Sequence, residues 1–192
     1  VRHAASLGRD GFRSALEHYR KDRPSGDKEH RRQADKLAGA ISPQKLYGVP
    51  VALMFFEGAP RLMTAGVTIP HLQPGDPQRI VVEAYPGVLA RALIGRQSYK
   101  SDTRRKQTPA LFQARRDLLD RLRQSAPERY GFRVEAPDSL AAEPGGDHLD
   151  ALLAAVQAAW AWERRGAGFG APPWVDPLEG WIADPHLDGA AG

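Results

Sequence analysis

The stretch GGDHLDALLAAVQAAW, residues 145–160, constrains this chain more than any other. Leu149, Leu152, Leu153, Val156 and Trp160 recur at the spacing of one helix face, and alanine fills most of the other positions. A helix of that composition has no strongly polar side, so neighbours must cover its flanks as well as its apolar stripe. The rest of the chain has to supply the elements that bury it. The helix also opens with two carboxylates, Asp147 and Asp150. Read locally, Asp147 is an N-cap and Asp150 completes an approximate capping box, with both acids at the positive end of the helix dipole. The same spacing projects both acids to one side of the helix, where they can share a hard cation that prefers oxygen ligands. The residues of the helix leave both readings open.

The chain has 192 residues, enough for one domain with its own core on the usual scale of roughly 100–200 residues per domain. Cysteine is absent, which excludes disulfides, iron–sulfur clusters and thiolate-bound zinc and suits a reducing compartment. No apolar run approaches the roughly 20 residues that a membrane span requires, and no basic-then-apolar leader pattern stands at the start. The expectation is a cytoplasmic protein without a membrane partner. The net charge is +4, and only six of the 27 cationic side chains are lysine. Arginine presents a planar fork suited to phosphate.

Helical spacing continues elsewhere. Residues 10–21 carry Phe12, Ala15, Leu16 and Tyr19 on one face. Residues 50–66 read as a helix opened by Pro50 and closed by Gly66, with Gly58 and Pro60 expected to kink or split it; strand is the second choice for 51–56. Between these helices, residues 22–48 form a polar, irregular segment holding Arg23, Arg31 and Arg32. A segment of that length inside a compact domain points to function or motion. Ile80, Val81 and Val82 predict a strand over 79–85, buried on both faces and stopped by Pro86 and Gly87. A short helix from Val88 to Ile94 follows, closed by Gly95. Residues 96–107, RQSYKSDTRRKQ, are a strongly basic loop. Thr108 caps the next helix, with Pro109 at its first position and an end near Gln124; Leu111, Arg115, Leu118, Leu119 and Leu122 line one side of it. GFRVEAP reads as a brief strand. Residues 168–192 are a Gly, Pro and Trp-rich tail expected to pack on a single domain spanning 1–192.

Glu83 stands within the predicted strand. A carboxylate among Ile80, Val81 and Val82 needs partners if it is buried, and an edge strand or an arginine pair would supply them. The functional alternative is a site beyond the carboxyl end of a sheet strand, where open α/β folds place their ligands. Tyr99 beside Lys100 sets an aromatic ring next to a cation. That is either an ordinary solvated turn or a contact for phosphate and base.

In order, VVEAYPGVLARALIGRQSYKSD, TPALFQARRDLLDRL, GGDHLDALLAAVQAAW and DPLEGWIADP resemble the DUF429 family of predicted nucleases. The resemblance extends upstream through DRPSGDKEH and EGAPRLMTAGV and so covers nearly the whole chain. It implies an α/β ribonuclease H-like fold, a mixed sheet flanked by helices. It is similar in arrangement to RuvC-type junction resolvases, whose last helix also begins D-x-x-DA. On that match Glu83, Asp147 and Asp150 are the implied catalytic acids and metal ligands, for Mg²⁺ or Mn²⁺, and Lys100 is the implied phosphate contact. The family normally begins with an aspartate-bearing strand that the sequence in hand does not contain. The expectation is therefore a domain incomplete at its N-terminus, whose catalysis waits on that aspartate.

The implied reaction is metal-assisted hydrolysis of phosphodiester bonds in DNA or RNA. The histidines are scattered without ligand spacing, so no zinc site is expected. Two rivals stand beside the nuclease. One is a non-catalytic nucleic-acid-binding or interaction module using Arg23, Arg31, Arg32, Lys100, Arg104 and Arg105. The other is a different phosphate-handling enzyme of the same fold, which would need a Gly-rich phosphate turn that this sequence lacks. The loops at 22–48 and 96–107 are expected to form a cationic rim beside the acids.

Overall fold

The computed structural model describes residues 1–187, with the side chain of Arg104 also outside the description. The chain is mixed α/β and mostly helical. Its helices are α1 (Arg2–Ser6), α2 (Gly8–Lys21), α3 (Gln33–Leu37), α4 (Val51–Thr64), α5 (Pro86–Ile94), α6 (Pro109–Tyr130) and α7 (Asp147–Glu163). Among the described residues the only sheet has two strands, β1 (Val67–Thr68) and β2 (Asp76–Ile80), paired in parallel. No described helix is long and apolar enough to cross a membrane.

Contacts group the chain into two compact units. The first comprises Val1–Val81 with Val175–Gly180. In it Phe12 of α2 stacks on Phe56 of α4 with ring centroids 5.4 Å apart, and Ala34, Ala38, Ala52, Leu53 and Val67 are buried. The segment 22–48, read as irregular, contains α3, whose buried Asp35 accepts from the backbone and guanidinium of Arg32. The polar segment is thus pinned by an internal ion pair. α4 runs unbroken through Gly58 and Pro60.

The second unit comprises Val82–Trp174 and, among the described residues, 181–187. Here the apolar stripe of the alanine-rich helix is buried, but its flank is not: Ala151, Ala155, Ala158 and Ala159 are exposed. Leu149, Leu153, Val156 and Trp160 of α7 are buried in one core with Leu89 and Leu93 of α5 and Leu118, Leu119 and Leu122 of α6. Thr108 caps α6 by accepting from the Leu111 amide at 3.3 Å, with Pro109 in the first turn. α6 continues past Gln124 and through Pro127, ending at Gly131 in the left-handed region.

Two strand expectations are corrected. The regular strand ends at Ile80, and Val81 to Tyr85 continue as extended chain with a single parallel bridge, Glu83 to Ile182. Ile80, Val81 and Val82 are half-buried, not enclosed on both faces. GFRVEAP forms no strand; Phe132 and Val134 lie against the helical core as irregular chain.

Candidate functional site at the N-terminus of the last helix

The basic loop and the acidic helix start meet. Asp150, one turn into α7, accepts from the Tyr99 hydroxyl at 2.5 Å through one carboxylate oxygen and from the Lys100 ammonium through the other. The Lys100 ammonium also lies 5.8 Å from the centre of the Tyr99 ring. Tyr99 is buried, and burial first, then its bond to Asp150, push its hydroxyl well above the ordinary value. It therefore stays protonated and donates to Asp150. The Lys100 side chain remains 41% exposed and that of Asp150 24%.

Three features fix this meeting. Gly146, the residue before α7, has φ 79° and ψ 7°, a left-handed conformation. A Cβ at Gly146 would stand 2.8 Å from Lys100 Cβ and 3.4 Å from the Tyr99 ring, so the loop rests directly on the bare glycine. From α6, the buried Arg115 donates to the carbonyls of Ala141 (2.8 Å), Tyr99 (3.0 Å) and Pro144 (3.4 Å). One guanidinium thus ties the basic loop to the turn before α7. Burial pulls Arg115 below its ordinary value, and the charge of Glu143 pulls the other way. Gln107 bridges the same two segments, donating to the carbonyls of Ser101 and Pro144.

The expected capping box is replaced. Asp147 is the first helical residue, not the cap, and Gly146 in the cap position has no side chain to offer. The orphan amides turn to Glu143, whose carboxylate accepts from Gly145 and, at 2.7 Å, from Asp147. Burial opposes the charge of Glu143, but donors at Gly145, Asp147, His148 and Gly146 outweigh it and hold the carboxyl below its ordinary value. With capping done by Glu143, Asp150 is released to hold Tyr99 and Lys100.

Glu83 is exposed, which removes the desolvation problem its apolar neighbours posed. Its backbone joins the bridge to Ile182, and its carbonyl accepts from the Ala183 amide at 2.9 Å. Asp147 is exposed as well. Among the described residues no group of three or more His, Asp or Glu side chains stands together as a metal cage. Arg105 is exposed in the basic loop, and the side chain of Arg104 lies outside the described residues. In the first unit, Arg31 is exposed. Arg23 is engaged with Asp27 and the Tyr19 hydroxyl, and Arg32 with Asp35 and the Glu179 carbonyl.

Sequence reasoning passed over Arg115, Glu143 and a buried polar set beneath α7. Asp184 is fully buried and accepts from Gln157 Nε2 at 2.6 Å and from the His186 amide at 2.9 Å. Arg129 donates to His186 Nε2, leaving Nδ1 to carry its proton toward Asp184, 2.6 Å away. This set fastens Ile182 and Ala183 where they meet Glu83. The available signal was a polar residue in an apolar helical stripe, Arg115 on α6 and Gln157 on α7, since a buried polar side chain must find partners.

Residues 19–173 match the family model of DUF429, described as a protein of unknown function. No curated protein and no solved structure matches the chain. The chain belongs to the DUF429 family.

Proposed function

We propose that this DUF429 member engages the phosphodiester backbone of DNA or RNA at the N-terminal end of α7 and is the phosphate-binding face of a metal-dependent nuclease with a ribonuclease H-like arrangement. The observation that carries the reading is the hydrogen-bonded meeting of Tyr99 and Lys100 with Asp150. Two motifs some fifty residues apart, each suspected from its own chemistry, converge on one carboxylate. Lys100 is held there with its side chain 41% exposed, so its ammonium stays within reach of a phosphate. Asp150 aims the ammonium, and Tyr99 holds Asp150 in place by a bond to a charged acceptor, worth about 1.5–3 kcal/mol.

The donor chemistry fits Mg²⁺ or Mn²⁺. The acids offer only oxygen, the chain has no thiol, and Asp150 already neutralises one cationic group. Mg²⁺ takes one or two carboxylates and completes its shell with water and substrate phosphate, and Asp147, Asp150 and Glu83 are the candidate ligands. When bound, the ion would supply the charge that activates water and stabilises the leaving oxygen.

Fluorescence anisotropy with short labelled DNA and RNA across a salt series tests the reading. Micromolar binding that weakens with salt is expected, within the non-specific range of roughly 10⁻⁴–10⁻⁶ M. Replacing Lys100, Arg104 and Arg105 together with alanine should lower affinity and flatten the salt slope, by up to roughly 0.7–0.9 for each phosphate that is no longer neutralised. No binding at low salt, or a slope unmoved by the triple replacement, refutes it.

A further inference from the structure

We propose that the outward face of α4 is a self-association surface, on which a second copy of this chain packs its own α4 antiparallel across Gly58. The proposal goes beyond the functional reading above and does not depend on it.

The argument begins with what α4 leaves uncovered. Its inward side carries the buried Ala52 and Leu53, and Phe56, which stacks on Phe12 of α2. At 3.6 residues per turn, Val51, Met54, Phe55, Gly58 and Leu62 share a second side that spans about 100° of the circumference. Met54 is 61% exposed, Phe55 42% and Leu62 38%. A helix that is apolar on two sides needs cover on both, and a contiguous apolar stripe, unlike scattered apolar residues, marks a contact surface. Gly58 sits in the middle of the stripe. Glycine weakens a helix interior and is kept where something passes close, yet a Cβ at Gly58 would meet nothing within 4 Å. The neighbour that would account for the glycine is not among the described residues.

The stripe fits itself. Two-fold contacts set one patch against its own copy. An axis beside Gly58 runs two α4 helices antiparallel, with the bare glycines letting the backbones approach. Leu62 of each copy then lies against Phe55 of the other. The opposite flank holds the two charged residues of α4, Glu57 and Arg61. They are four apart and opposite in sign, so the same axis sets Glu57 of each copy beside Arg61 of the other. A parallel pair would set like charge beside like. Among the described residues no carboxylate meets Arg61, and Glu57 has only Arg9 at 3.5 Å, with both side chains half-exposed. Both charges are therefore open to a partner, and the surface is complementary to itself in charge as well as in shape.

One helix face is smaller than a standard interface, so the dimer is expected to be weak, micromolar in scale. Sedimentation velocity on the intact chain at low salt, over a wide concentration range, tests this. The wild type should shift from monomer to dimer as concentration rises. Gly58→Arg fills the open space with a charged side chain and should stay monomeric. Glu57→Arg and Arg61→Glu should each stay monomeric alone, because like charges then face each other at both pairs. Mixed in equal amounts they should recover the dimer, because the mixed dimer sets opposite charges at both pairs. Circular dichroism checks that each variant keeps its helices, since the tryptophans all lie in the other unit. A wild type that is monomeric at every concentration, a dimer that survives Gly58→Arg, or a mixture that stays monomeric overturns the two-fold contact.

Discussion

Replacing Gly146 with alanine tests the idea that the basic loop is seated on the start of α7. Two costs arise at this position. The backbone is left-handed at φ 79° and ψ 7°, which costs a residue bearing a Cβ about 1 kcal/mol, the lower end for such conformations. The new methyl would also stand 2.8 Å from Lys100 Cβ and 3.0 Å from Lys100 Cδ. The first of these atoms is fixed to the backbone, so the loop itself must shift; overpacking of this kind costs roughly 1–3 kcal/mol. The expected total is about 2–4 kcal/mol. Gly131 provides the control. It closes α6 at φ 83° and ψ 7°, with nothing within 4 Å of its built Cβ. Gly131→Ala should therefore show the conformational cost alone, about 1 kcal/mol. All four tryptophans lie in the second unit, so urea unfolding read by tryptophan fluorescence reports on that unit for both variants. Adding Lys100→Gly to Gly146→Ala should recover the packing cost and leave the strain. Equal losses for Gly146→Ala and Gly131→Ala would show that the loop does not rest on the glycine, and the convergence at Asp150 would lose its scaffold.

Two further outcomes follow from the same scaffold. Arg115→Met should destabilise the second unit by roughly 2–6 kcal/mol, because it strands buried carbonyls at Ala141 and Tyr99, each worth about 1–3 kcal/mol when left unpaired; a loss under about 1 kcal/mol in the same urea assay would remove Arg115 from its organising role. Glu143→Gln should lower stability at pH 7 by roughly 1 kcal/mol, the scale of a helix cap. Since the folded carboxyl titrates below its ordinary value, its contribution is present above the unfolded value and lost as pH falls through the folded one. The gap between wild type and Glu143→Gln should therefore close in acid, and a gap that widens there would contradict the assigned role.

Local rules carried far in this chain wherever the physics is local. The helix that opens at Pro109 announced itself through Thr108, Pro109 and a leucine stripe, although it runs on past the expected end near Gln124 to Tyr130, and α5 and α7 announced themselves through their spacing and, for α5, Gly95. Capping, helical spacing and turn chemistry are settled by residues within a turn of one another, so a single sequence contains them. The covering expected on the flanks of α7 did not follow, since Ala151, Ala155, Ala158 and Ala159 are exposed, and a methyl group is small enough to face water at little cost. What the sequence could not contain was pairing. Ile80, Val81 and Val82 promise a strand, but a strand exists only where another chain segment accepts its hydrogen bonds, and past Ile80 the partners are reduced to the Val81 amide on the Thr68 carbonyl and one bridge at Ile182. Asp147 and Asp150 formed a plausible cap by themselves, until Glu143 took the orphan amides from outside the helix. Glu83, Asp147 and Asp150 were equally suspect as letters. Only the tertiary structure distinguished Asp150, because its partners, Tyr99 and Lys100, arrive from a distant loop held by a buried arginine on a third element. The sequence set the charges and the helices; the packing of α5, α6 and α7 decided which carboxylate meets which cation, because that choice depends on distances no local rule fixes.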